Sequence, residues 1–147
     1  MSHRVYIFKE HLTTSAQTRW LITDIQGKAK LVQTFPNSAM ALVTARQQGW
    51  TPRVLLGNQL WLITPYLHGK KHPAWGTSSL KQAQREARQW LNLQKTPHTK
   101  LRSNLFAAGF AVLEHPQQGC IARIEITSRV MARKEQLCVG LACKPAP

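Results

Sequence analysis

The spacing of apolar and polar positions changes period several times along the chain, and each change marks an element. Residues 18–25 and 59–67 are rich in β-branched and aromatic side chains, and a glycine turn follows each, Gly27-Lys28 and Gly69-Lys70. That is the pattern of a strand entering a hairpin. Downstream of each hairpin the period lengthens to three and four. Asn37 stands ahead of residues 38–48 as a helix N-cap with Gly49 as the stop, and Ser78 or Ser79 caps a second helix over residues 80–93. On the second helix Leu80, Ala83, Ala87, Trp90 and Leu91 make one apolar stripe, whereas Lys81, Arg85 and Arg88 fall together on another face. The first helix, with Ala39, Leu42, Val43 and Arg46 around the small Ala41 and Ala45, is less polarised.

The two stretches are related to one another. Trp20-Leu21-Ile22-Thr23 recurs as Trp61-Leu62-Ile63-Thr64. The Gly-Lys turn, an aromatic (Phe35, Trp75) and a pair of helix alanines (Ala41 and Ala45, Ala83 and Ala87) follow in the same order. The unit reads strand, turn, strand, helix, over residues 18–50 and again over 51–95, after an N-terminal strand and linker at 1–17. Pro65 and Pro73, which lack an N–H, are expected to interrupt the ladder of the second hairpin. Pro97 marks a boundary. Beyond it the pattern predicts a short helix around residues 100–108 ended by Gly109. Strands at 110–115, 120–130 and 136–143 follow, joined by turns at Pro116-Gln117-Gln118-Gly119 and Arg133-Lys134-Glu135. Ala122, Ile124, Ile126 and Ser128 alternate with Ile121, Arg123, Glu125 and Thr127, as in a half-buried antiparallel strand. Residues 98–147 therefore read as a β-rich segment, either a degenerate third unit or a separate meander. The expected fold class is α+β, with tandem β-β-α units followed by an antiparallel β meander.

Composition narrows the chemistry. In 147 residues there are 20 Lys+Arg against 6 Asp+Glu, a formal net charge of +14, with 43% hydrophobic residues. A packed core is within reach, and the length fits one ordinary domain or two very small ones sharing a core. No apolar run approaches the ~18–20 residues that span a bilayer, so no membrane partner is expected. Val5-Tyr6-Ile7-Phe8 is too short for a secretory signal. Three cysteines, Cys120, Cys138 and Cys143, are an odd number, which argues against a disulfide framework and fits a cytoplasmic location. Cys138 and Cys143 lack the second short-spaced pair of a structural zinc site, so neither a metal nor any other cofactor is expected.

Catalysis needs convergent groups. The acids Glu10, Asp24, Glu86, Glu114, Glu125 and Glu135 have no paired or metal-binding spacing. The histidines His3, His11, His68, His72, His98 and His115 fall mostly in expected loops, without a recognisable orienting partner. A histidine-dependent RNA cleavage is conceivable on such residues, but solvated loop histidines are the preferred reading. No phosphate-cradling glycine loop or nucleophile elbow is present. The chain is not expected to be an enzyme.

Nucleic-acid binding uses the charge better, because Lys and Arg on one side of a rigid surface gain affinity by releasing counterions from phosphates. Arg19 starts the first hairpin, Lys28 and Lys30 follow its turn, and Lys70, Lys71 and His72 follow the second. Alternation puts Lys28, Lys30 and Val32 on one face; if Leu31 packs on the helix, the lysines look outward. Lys81, Arg85 and Arg88 add a helical face balanced between simple solvation and phosphate binding. Trp20, Trp61 and Trp90 read as core, while Trp50 and Trp75 are balanced between packing and base stacking.

The order Arg19-Trp20-Leu21-Ile22-Thr23, Gly27-Lys28, Phe35, Asn37-Ser38 and Ala41-x3-Ala45 resembles the strand-turn-strand-helix unit of phage-integrase arm-binding domains and APETALA-type DNA-binding domains. The resemblance spans roughly residues 18 to 93, twice over. It implies a small sheet in the major groove with the helix packed behind it, and a DNA-facing set of Arg19, Lys28, Lys30, Lys70, Lys71 and His72. It also implies duplex DNA as the partner of a regulator or accessory factor, such as that of a mobile genetic element, with protein partners in a nucleoprotein complex. The rival expectations are an RNA or single-strand binder in a ribonucleoprotein, and a basic protein-interaction module or inhibitor.

Overall fold

The computed structural model of the chain describes residues 3–10, 19–102 and 109–132. It has the expected mixed α+β class, and the chain gathers into two compact units, Met1–Leu60 with Val130–Pro147, and Trp61–Arg129.

In the first unit β1 (His3–Glu10) is the middle strand. It pairs antiparallel with β2 (Arg19–Thr23) and parallel with β3 (Trp50–Val54). Val5, Tyr6, Ile7 and Phe8 are all buried, so β1 is covered on both faces and reads as a continuous apolar run rather than an alternation. Register sets Ile7 against Ile22 on one side and Val54 on the other.

The expected return strand of the first hairpin is absent. Isolated bridges join Thr23 to Ala29 and Trp20 to Phe35. Between those bridges β2 advances three residues while the return path advances six, so the surplus residues loop out and no ladder can run through. The turn itself is held by Asp24, whose Oδ1 accepts from the Gln26 and Lys28 amides at 2.9 and 3.0 Å. Gly27 supplies the positive φ of 94° that this turn requires.

Helix α1 (Ser38–Gln47) begins where expected, with Asn37 Oδ1 accepting from the Met40 amide at 2.9 Å. Its buried face is Ala41 and Ala45, whose small side chains let the helix lie close on the sheet. They join Val5, Ile7, Ile22 and Phe35 in one core, with Trp20, Leu31, Leu42, Trp50 and Val54 packed around it.

The second unit is built on a six-stranded sheet. Its strands are β4 (Gln59–Leu67), β5 (Lys70–Lys71), β6 (Trp75–Thr77), β7 (Lys100–Arg102), β8 (Phe110–His115) and β9 (Gly119–Val130). The order is β5-β4-β9-β8-β7, with β6 also paired to β4. The β4–β5 turn is the two-residue pair His68-Gly69, both at positive φ (51° and 78°), which matches the right-handed twist of the flanking strands. The returning strand splits into β5 and β6. The His72 amide donates to the Pro65 carbonyl at 2.9 Å, but Pro65 has no N–H to complete the exchange, and Pro73 follows.

Helix α2 (Leu80–Gln94) is capped by Ser79, whose hydroxyl oxygen accepts from the Gln82 amide at 3.2 Å. Ala83, Ala87 and Leu91 bury against Ile63, Leu113, Ile124 and Ile126, with Trp61, Trp75 and Trp90 packed on that cluster. The two cores therefore use the same positions of the repeat: Trp20 and Trp61, Ile22 and Ile63, Phe35 and Trp75, and both alanine pairs.

One expected element is corrected. No helix begins at Lys100; Lys100–Arg102 is β7, with Leu101 opposite Leu113. The polar-apolar-polar alternation of Lys100, Leu101 and Arg102 follows the period of a strand, and pairing with β8 satisfies its backbone. Residues 103–108, the expected strand at 136–143 and the turn at 133–135 lie outside the described residues, as do Cys138 and Cys143. In β9 a register shift opposite Leu113/Glu114 adds a residue, which is why Ile121 is buried beside Ala122 instead of alternating with it. Among the described residues no helix is long and apolar enough to cross a membrane.

Candidate nucleic-acid interface

In the first unit the expected basic residues are separated by local structure. Arg19 is exposed at the start of β2, and Lys28 is exposed on the Asp24 turn. Lys30 donates its amide to the Ile22 carbonyl, which turns its side chain toward Trp50; the ammonium lies 5.8 Å from the ring centroid. That distance is within the range of a cation–π contact. Trp50 is half-buried and packs on the core, with the His3 ring 6.2 Å away. Leu31 packs on the same core and Val32 is 92% exposed, but Gln33 is exposed as well, so the segment does not keep a strand's alternation.

In the second unit Lys70 and Lys71 are exposed, but adjacent strand residues project to opposite faces. Lys70 stands opposite Leu67, which packs toward the helix, and Lys71 stands opposite Tyr66. The two lysines therefore do not form a single outward pair. His72 is exposed just beyond them. Trp75 sits on the helix side of the sheet, where its Nε1–H donates to Glu86 Oε1 at 2.8 Å.

The structure does bring Lys81, Arg85 and Arg88 together. All three are exposed, and at helical spacing they fall within about 60° of arc and about 10 Å of axial length. They lie away from the buried Ala83, Ala87 and Leu91. Glu86, the acid of this helix, is tied to Trp75 and also accepts from Gln82 Nε2 at 2.9 Å. It is the acid nearest to the stripe in sequence, and one of its carboxylate oxygens is turned to the tryptophan.

Three further described acids are similarly engaged. Asp24 holds its turn, Glu114 pairs with Arg102 at 2.8 Å, and Glu125 pairs with Arg123 at 2.8 Å. Arg123 also stacks over Phe110, 5.0 Å from its centroid, near a cavity of about 270 Å³ lined by Tyr66, Arg123 and Glu125.

Sequence reasoning missed His115. Its Nδ1 accepts from the Gln117 and Gln118 amides at 3.1 and 3.2 Å, so this histidine does have an orienting partner. The signal was present in His115-Pro116-Gln117-Gln118-Gly119, where a side-chain acceptor at the end of a strand meets the free amides of the following turn. Among the described residues no group of three His, Cys, Asp or Glu is placed to hold a metal ion. Comparison with known proteins adds no relative to this geometry: no family model, curated protein or solved structure matches the chain.

Proposed function

We propose that the chain is a non-enzymatic nucleic-acid-binding protein, with double-stranded DNA as its main ligand, acting as a regulator or accessory factor. The observation that carries this reading is the disposition of charge. The carboxylates of Asp24, Glu86, Glu114 and Glu125 are engaged in internal bonds, while Lys28, Lys70, Lys71, Lys81 and Arg85 are exposed and form no ion pair among the described residues. Cations presented in this way on packed elements neutralise phosphates by displacing counterions, and no ordering of a tail is required. The strand-turn-strand-helix order of the second unit, with a helix packed behind the first strand of each, supports the duplex over other ligands by its resemblance to sheet-in-groove binders; the first unit keeps the turn and the helix but not the return strand.

A second reading, RNA or single-stranded nucleic acid, is favoured by the half-buried rings already carrying cations, Trp50 with Lys30 and Phe110 with Arg123. Anisotropy titrations of labelled duplex DNA, single-stranded DNA and RNA across a salt series separate the two. Tighter duplex binding that persists near physiological salt supports the first, and tighter single-strand binding with tryptophan quenching supports the second. Affinity no greater than that of a simple polycation of equal charge overturns both and leaves the charge to steer an acidic protein partner.

A further inference from the structure

Two turns converge at one end of the β7-β8-β9 meander. The Thr96–Thr99 turn is closed by the Thr99 amide donating to the Thr96 carbonyl at 3.1 Å and by Thr99 Oγ1 accepting from the Thr96 amide at 2.9 Å; it carries His98 into β7. The β8–β9 turn carries His115. The two imidazoles meet edge to face, 6.1 Å between centroids. Beside them is a cleft of about 410 Å³ lined by Lys100, Arg102, Glu114, His115, Pro116 and Gly119, adjoining a smaller cavity of about 170 Å³ that reaches His98. A volume of this size is in the range of small-ligand sites.

The chemistry of the lining favours an anion. Lys100 stands opposite Glu114 in register, and Arg102 Nε bonds Glu114 Oε1 at 2.8 Å. With both imidazoles neutral, the lining keeps one net positive charge. The Arg102 bond uses its Nε–H, and the guanidinium carries further donors on its terminal nitrogens. Because His115 Nδ1 is occupied as an acceptor, its neutral ring is assigned the Nε2–H tautomer and presents a donor at its other edge. The same occupancy denies His115 the Nδ1 lone pair that a metal ion or a proton-abstracting role at that atom would need. An oriented imidazole N–H, an ammonium and a guanidinium around one cleft are a donor set for phosphate oxygens.

We infer that this cleft, with Lys100, Arg102 and His115 in its lining and His98 in the adjoining cavity, is a phosphate-binding site. It rests on the nucleic-acid reading only in naming a backbone phosphodiester as one source of the phosphate; free phosphate is the other. The test records imidazole ¹H–¹³C correlation spectra of the full chain during titration with inorganic phosphate and, separately, with a short DNA duplex. Saturable movement of the His115 and His98 signals by inorganic phosphate is expected. Both shifts should be lost in Lys100→Gln/Arg102→Gln, and the remaining His98 shift should need at least about fivefold more phosphate in His115→Asn, which can still cap the turn through its Oδ1 while deleting the ring N–H. Movement of the same signals by duplex assigns the site to the nucleic-acid backbone. Movement by inorganic phosphate alone assigns it to a free phosphate and still supports the cleft. If neither titrant moves the rings, or if the double variant responds as the parent does, the site is overturned. Salt-dependent duplex binding that survives that result leaves the nucleic-acid reading standing, and an absence of duplex binding beside a phosphate response defeats that reading alone.

Discussion

Neutralising the α2 stripe is the sharpest test of where phosphate is met. Lys81→Gln and Arg85→Gln remove one charge each from exposed positions, and two together. Helix propensity barely changes, because Lys, Arg and Gln rank close together. Neither side chain belongs to the buried Ala83, Ala87 and Leu91 face, so stability should stay within about 0.5 kcal/mol of the parent. If each cation neutralises one phosphate, each loss lowers the slope of log K against log salt by about 0.9. From about 50 to about 200 mM salt, that slope corresponds to roughly 3.5-fold in affinity per contact, or about 12-fold for the pair. The parent should therefore lose about 12-fold more affinity across that range than the double variant. Anisotropy of a labelled duplex over four or more salt concentrations gives both slopes, and circular dichroism checks that the helix is intact. An unchanged slope in a folded double variant refutes α2 as a phosphate-contacting face, whatever happens to affinity at one salt concentration.

Three further outcomes follow from the fold. Glu86→Ala removes the acceptor of the Trp75 indole N–H and of Gln82; urea unfolding followed by tryptophan fluorescence should show a loss of about 1–2 kcal/mol, and Glu86→Gln, which keeps an acceptor oxygen, a smaller one. His68→Val puts a β-branched residue at φ 51° and should cost about 1–2 kcal/mol, whereas His68→Gly should be neutral or stabilising, both read as thermal midpoints. Ile22→Ala and Ile63→Ala empty equivalent positions of the two cores, where exposure is 1% and 0%. Each should cost about 2–5 kcal/mol by chemical denaturation, and a loss under about 1 kcal/mol at either would contradict its place in a packed core.

The repeat was legible because it is a statement about cores. Trp-Leu-Ile-Thr and the alanine pairs recur at the positions that each unit buries, and local cap and turn chemistry at Asn37, Ser79, Gly27 and Gly69 fixed the element boundaries nearly to the residue. Less legible was pairing between distant segments. The N-terminal run of Val5, Tyr6, Ile7 and Phe8 is plainly a strand, yet its place between β2 and β3 depends on Trp50–Val54, which follows a helix and contains Pro52. Proline is tolerated there because β3 lies at the edge of its sheet. The lost return strand of the first hairpin has the same origin: a mismatch between two bridge spacings cannot be seen in either strand alone.

For the candidate interface the division is similar. The sequence by itself determined the sign of the charge, the shared face of Lys81, Arg85 and Arg88, and the α+β class with its recurring core positions, since these follow from composition and from periods of two and three to four along one segment. Tertiary structure decided which charges are engaged. It sent Glu86 to Trp75 and Lys30 to Trp50, set Lys70 and Lys71 on opposite faces, and joined His98 to His115 across two turns. Those outcomes depend on register and on which side chain crosses a gap of a few ångströms, quantities that local periodicity does not carry.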